Sequence, residues 1–358
     1  MTLITRRSLL RTASAAAAVP LLAGRAFAQE PLNVAFVYVG PVGDFGYTYA
    51  HDQGRQEAET HFGDKIKTTY VENVAEGPDS ERVIRKLAED GNQLIFTCSF
   101  GFMNPTIKVA KRFPDVKFEH CSGYQRADNV ATYNARFYEG RAVCGTIAGH
   151  MSKSGIAGYI ASFPIPEVVS GINGFTLGAQ RVNPAFQTKV VWVSSWYDPA
   201  KEADAAKALF DQGADVIAQH TDSPAALQAA EQRGLWAFGQ AWDMSSFAPK
   251  AHLTAIENDW GVYYIDRIQK TIDSTWESAD TWWGFKEGIL RMSPFNEAMP
   301  AEVASAAEAT QAGISDGSAP VFAGPITDQQ GTEKVAAGKA LDDGAIIGMD
   351  WYVQGVQS

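Results

Sequence analysis

Aromatic side chains stand at the ends of several apolar runs, and they are the residues best placed to do chemistry. Phe45, Tyr47 and Tyr49 follow the first apolar run, and Phe100 and Phe102 follow the third. Ser195-Trp196-Tyr197 follows a run in the second half, Trp242 follows the last one, and Trp282-Trp283 lies nearer the C-terminus. Several such strand ends facing one space would sandwich a flat ring, and stacking on a base is worth roughly 1–3 kcal/mol per ring. Sugar sites also use aromatic rings, so this pattern alone does not choose the ligand.

Motifs for bond-making chemistry are missing. Gly40-Pro41-Val42-Gly43-Asp44-Phe45-Gly46 is neither a dinucleotide fingerprint nor a phosphate loop. The sequence has no G-x-S-x-G elbow and no H-E-x-x-H. The six histidines are scattered, and no carboxylate pair is marked for acid–base work. No catalytic residue, cofactor or metal is therefore expected. Cys98, Cys121 and Cys144 are the only cysteines. A Cys98–Cys121 bridge is geometrically conceivable, but buried free thiols are the expected state.

The elements that must position these rings alternate. Apolar runs cover Val34–Val39, Ile66–Val71, Leu94–Cys98 and Val116–Cys121, then Ala157–Ala161, Val190–Val193, Val216–Ala218 and Leu235–Phe238. Continuous apolar strands suit a parallel sheet covered on both faces. Helices with start and stop signals lie between them: Glu81–Glu89 before Gly91, Ala200–Gln212 before Gly213, and Ala225–Arg233 before Gly234. The expected class is α/β, with two doubly wound parallel-sheet lobes joined at a hinge. Residues 29–133 with about 257–320 are assigned to lobe 1, residues 134–256 to lobe 2, and residues 321–358 to a tail of uncertain lobe. Ligands of such sheets bind outside the carboxyl ends of the strands, where two facing lobes make a cleft that can close.

Residues 1–28 read as an export leader. Thr5-Arg6-Arg7-Ser8-Leu9-Leu10-Arg11 precedes an apolar stretch from Ala13 to Gly24 and an Ala26-Phe27-Ala28 cleavage site. The paired arginines resemble a twin-arginine signal, with an ordinary secretory signal as the alternative. Cleavage after Ala28 leaves 330 residues with net charge −15, against −11 for all 358. That acidic balance argues against nucleic-acid binding.

Together, these segments resemble the basic membrane protein family of ABC-transporter substrate-binding proteins. The resemblance is carried by Asp44-Phe45-Gly46-Tyr47 with Gly54, Phe100-Gly101-Phe102, Phe113-Pro114-Asp115-Val116-Lys117-Phe118 and Glu139-Gly140-Arg141. Ser195-Trp196-Tyr197-Asp198-Pro199 and Phe322-Ala323-Gly324-Pro325-Ile326 complete it. It implies the type I periplasmic-binding-protein fold, periplasmic residence, an ABC permease partner in the inner membrane and a purine ligand. It places the stacking rings at Tyr47 and Trp196, with Phe45 or Phe102 as alternatives. On the sugar side it points to Ala241, Glu257 and Trp283, types that remove ribose hydrogen bonds and fill ribose space, and so to a free base, adenine above others. Glu257 or Asp243 would accept from the exocyclic amine, and Trp242 lies in the same segment. A nucleoside, with Asp222 or Asn134 holding the ribose, is the alternative ligand. A nucleoside- or base-processing enzyme and a ligand sensor for a membrane receptor are the alternative functions. A monomer is expected, since both lobes must face the permease.

Overall fold

A computed structural model describes residues Glu30–Ser358, so the leader lies outside the described residues. In chain order the elements are β1 (Leu32–Tyr38), α1 (Gly46–Phe62), β2 (Ile66–Val71), α2 (Pro78–Glu89), β3 (Leu94–Cys98), α3 (Met103–Ala110), β4 (Lys117–Cys121) and β5 (Val130–Ala135). There follow α4 (Phe137–Met151), β6 (Ile156–Ala161), α5 (Pro166–Gln180), β7 (Gln187–Trp192), α6 (Pro199–Asp211), β8 (Val216–His220), α7 (Ala225–Arg233), β9 (Trp236–Ala241) and β10 (His252–Asn258). The remainder is α8 (Gly261–Ile272), β11 (Asp280–Trp283), β12 (Leu290–Met292), α9 (Ala301–Ser315), β13 (Ile326–Thr327), β14 (Glu333–Val335), α10 (Asp343–Ile347) and β15 (Val356–Gln357).

The strands form two main sheets. One has the order β11-β5-β4-β3-β1-β2, the other β12-β10-β9-β8-β6-β7-β15. All pairings within them are parallel except the antiparallel contact of β12 with β10. The strand order reverses around β1 in one sheet and β6 in the other, and such reversals are where open α/β sheets leave a crevice.

Local chemistry sets the helix ends. Pro199 opens α6, and the side chain of Asp198 accepts from the Lys201 N–H at 3.1 Å. Gly234 ends α7 in the left-handed conformation at φ 66°. The pair α4 and α5, which the sequence does not announce, is buried along most of its length. With few polar faces to show a period, apolar composition hides these helices. Their glycines let the backbones touch: a Cβ on Gly145 would come within 2.0 Å of the Phe175 carbonyl oxygen, and one on Gly178 within 2.2 Å of that of Ala142.

The chain crosses between the sheets after β5, after β10 and after β11. This corrects the expected assignment of 257–320 to the first lobe. β11 pairs with β5, but β12 pairs with β10 in the second sheet, and α9 packs on α4. The boundary at 133/134 also falls inside β5. The sequence missed these returns because β11 and β12 have only four and three residues. The tail reaches the second sheet, where β15 pairs with β7.

One buried ion pair ties the returning α8 to the first sheet. Glu119 on β4 and Arg267 on α8 are 0% and 3% exposed and meet at 2.6 Å. Tyr263 Oη and Trp276 Nε1 donate to the same carboxylate at 2.7 and 2.6 Å. Removing one partner of such a pair strands a buried charge, so Glu119→Ala is expected to cost about 3–5 kcal/mol of unfolding free energy in a denaturant titration. A loss below 1 kcal/mol would contradict this role.

Candidate functional site

The carboxyl ends of the strands line a cavity between the lobes. From the first lobe it is lined by Val39, Tyr47, Ser99, Phe100 and Ser122, which follow β1, β3 and β4. From the second come Glu167 in the first turn of α5, Trp196 after β7, His220 and Asp222 at the end of β8, and Gln240 on β9.

Each lobe holds its own ring. Tyr47 meets His51 and Trp260 edge-on, at centroid distances of 4.3 and 6.1 Å, and its hydroxyl donates to Cys121 Sγ at 3.2 Å. His51 lies flat on Trp260 at 4.3 Å, so the ring beneath Tyr47 is itself fixed. Trp196 leans on Phe163 at 5.2 Å. Its Nε1 is buried and has no partner. A buried donor left unpaired costs about 1–3 kcal/mol, which marks this N–H as a group a ligand would satisfy. Cys98, Cys121 and Cys144 are free and buried.

Asp222 joins the lobes. The backbone N–H of Tyr47, in the first turn of α1, donates to Asp222 Oδ1 at 3.0 Å. No side chain of α1's own N-cap, Phe45, does that work. A carboxylate at a helix N-terminus is favoured by the macrodipole, but burial dominates here and pushes the Asp222 carboxyl up to about 7, assisted by nearby Glu202. Glu202 accepts from Ser223 N and Oγ at 3.0 and 2.7 Å, which fixes the turn beside Asp222.

The other polar walls are oriented as well. Gln240 Oε1 accepts from Arg141 Nη2 in the buried core, which leaves the Gln240 amide nitrogen as its free group. Asn134 Nδ2 donates to Glu167 Oε2 at 2.8 Å, a second link between lobes, and Asn134 Oδ1 accepts from Ser122 Oγ at 3.3 Å. Burial depresses the pKa of His220, whose Nε2 lies 3.6 Å from Glu167 Oε1, so its ring is neutral at pH 7 and its buried Nδ1 has no partner. The cavity thus offers flat faces, carboxylate acceptors and amide and indole donors. Among the described residues no cluster of three or more His, Cys, Asp or Glu could hold a metal ion.

Of the residues expected from the sequence, Tyr47, Trp196 and Asp222 line this cavity, and Asn134 lines an adjoining vestibule. Six stand off it. Phe102 is fully buried beneath, and Phe100 takes the place facing the cleft. Phe45 packs across the lobes on Tyr197 and Phe247, at 6.3 and 5.2 Å, and Trp242 meets Tyr49 edge-on at 5.2 Å. These three ring contacts bridge the lips of the cleft. Asp243 accepts from the Ser245 N–H at 2.8 Å, Glu257 faces Arg291 at 4.0 Å, and Trp283 meets Tyr263 edge-on at 5.5 Å. Ala241 is buried with φ 62° and is likewise off the lining. Sequence reasoning missed Ser99, Ser122, Glu167, His220 and Gln240. Four of these sit at or just beyond the end of an apolar run, a positional signal that their residue types do not announce.

The comparisons follow this geometry. Residues 32–317 match the family model described as ABC transporter substrate-binding protein PnrA-like. A purine-binding protein of Brucella abortus is 59% identical over 336 residues, covering 94% of this chain and 96% of that protein. A putative ABC transporter glucose-binding protein of Haloferax volcanii is 38% identical over 304 residues, covering 85% and 77%. Among solved structures, an ABC transporter solute-binding protein from Aeropyrum pernix superposes with TM-score 0.70 at 20% identity, covering 83% of this chain and 93% of that one. One from Conexibacter woesei does so at 0.66 and 19%, covering 80% and 97%. The matched stretch contains both main sheets apart from the edge strand β15, and every residue lining the cavity. On that extent the chain has the type I periplasmic-binding fold and belongs to the PnrA-like ABC transporter substrate-binding proteins, a family of solute binders and not of enzymes.

Proposed function

We propose that this protein captures a purine nucleobase, adenine in preference, outside the cytoplasmic membrane and delivers it as a monomer to an ABC permease. In this reading the leader is cleaved after Ala28 following twin-arginine export, and the mature protein works in the periplasm. The observation that carries the ligand class is the pair of rings, Tyr47 and Trp196, brought to one cavity from opposite lobes beside the acceptors Asp222 and Glu167. The purine-binding relative at 59% identity supports the same class.

Adenine fits the polar walls by chemistry. Its exocyclic amine donates to a carboxylate, and its ring nitrogens accept from a donor at the ring edge such as the Gln240 amide. Hypoxanthine replaces the amine with a carbonyl and would set oxygen against oxygen at Glu167. Ala241, Glu257 and Trp283 do not face the cavity, whereas Asp222 lines it and Asn134 lines the adjoining vestibule, so a nucleoside is the second reading.

Three outcomes are expected. Trp196→Ala and Tyr47→Ala each weaken adenine binding by about 1–3 kcal/mol in calorimetry on ligand-stripped protein. Near-wild-type affinity in both variants would remove the sandwich. In competition titrations adenine outcompetes adenosine, hypoxanthine and glucose. Adenosine equal to adenine would favour the nucleoside, and hypoxanthine equal to adenine would remove the amine acceptor.

The third outcome concerns closure. Opening exposes Asp222 to water and moves its carboxyl from about 7 toward its ordinary value of 3.8, with Glu202 of the same lobe still beside it, so the closed form holds the extra proton between these values. Closure of the ligand-free protein is then strongest below about 4 and is lost progressively as pH rises to about 7. X-ray scattering should show a larger radius of gyration at pH 8 than at pH 5, with the difference reduced in Asp222→Asn. A protein equally compact at both values would contradict this.

A further inference from the structure

The cavity is not the whole cleft. It continues into a vestibule of about 170 Å³, and Phe100, Ser122 and Glu167 face both spaces. The vestibule is walled largely by apolar side chains: Phe137 and Trp282 near the crossings, and Ile165, Ile346 and Ile347 opposite. Ile347, at its edge, is 44% exposed.

Its roof is held in place. Arg136 reaches α10 through a bidentate pair with Asp343, at 2.8 and 2.6 Å, and its guanidinium lies 4.4 Å over the Trp282 ring. A wall fixed by such a fork is ready before any ligand arrives, and preorganisation lowers the cost of binding. The throat between the two spaces carries Glu167, whose carboxylate is steadied by Asn134. An exocyclic amine bearing one substituent keeps one N–H to donate to such an acceptor. Its substituent would leave the buried ring beside that bond and enter the vestibule.

We propose that the vestibule is a second subsite for an apolar group attached to the exocyclic nitrogen of the bound base, so that the protein takes N6-alkyl or N6-aryl adenines as well as adenine. This rests on the nucleobase reading and extends it to a substrate class. The occupant is an apolar substituent and not a ribose, because the walls beyond Glu167 offer mainly aromatic and aliphatic faces.

The test uses the ligand-stripped, exported protein with adenine, N6-benzyladenine and adenosine as probes in calorimetric titration, in wild type and in Ile347→Asp. N6-benzyladenine is expected to bind the wild type within about tenfold of adenine. Ile347→Asp, at an exposed position, should weaken N6-benzyladenine by about tenfold while leaving adenine unchanged. N6-benzyladenine more than tenfold weaker than adenine in the wild type, or equal losses for both in the variant, overturns the subsite. Adenosine losing affinity selectively in the variant also overturns it, since ribose would then occupy the vestibule. Adenine itself failing to bind instead overturns the parent reading, and this extension with it.

Discussion

The Asp222 carboxyl ties the lobes together at the rings themselves, beside the second link from Asn134 to Glu167. Asp222 belongs to the second lobe but accepts the N–H of Tyr47, in the first turn of the first lobe's α1, at 3.0 Å. The helix N-terminus, which needs acceptors for its free N–H groups, borrows one from the opposite lobe. Tyr47 carries the ring that the first lobe presents to the cavity, and the backbone N–H of Asp222 donates to the carbonyl of Trp196, which carries the ring of the second. One residue therefore links lobe closure to the placement of both rings. Burial raises its pKa, so closure carries an electrostatic cost that a ligand donor can offset.

Around that contact the aromatic residues divide into two jobs. Tyr47, Phe100 and Trp196 face the cavity, while Phe45 with Tyr197 and Phe247, and Tyr49 with Trp242, meet across the lips. The second group packs between the two lobes. Apolar burial across the lips favours closing, and the polar groups left unpaired inside, Trp196 Nε1 and His220 Nδ1, disfavour an empty closed state. A ligand that satisfies those groups shifts the balance by its differential affinity for the closed form.

The alternation of apolar runs with capped helices made the two-sheet architecture legible, because strands buried on both faces need no period to be seen. The short strands β11, β12 and β15 were not legible, since two to four residues carry no pattern and are held by pairing alone. At the site, the rings Tyr47 and Trp196 could be read from position and resemblance. Gln240 and Glu167 could not. Gln240 becomes a donor only because Arg141, ninety-nine residues earlier, occupies its oxygen, and Glu167 is presented by a helix buried along most of its length, whose pattern the sequence conceals. Trp242, Glu257 and Trp283 were misplaced for a related reason: residue type suggested a ligand wall, while the fold turned them toward the lips, Arg291 and Tyr263.

The identity of the captured molecule is read most directly by mass spectrometry of whatever small molecule is released when protein purified from its own periplasm is denatured. A closed cleft of this kind should retain its ligand through purification, and the released species should be adenine or an N6-substituted adenine. A nucleoside would contradict the free-base account, and a sugar would contradict the purine account altogether.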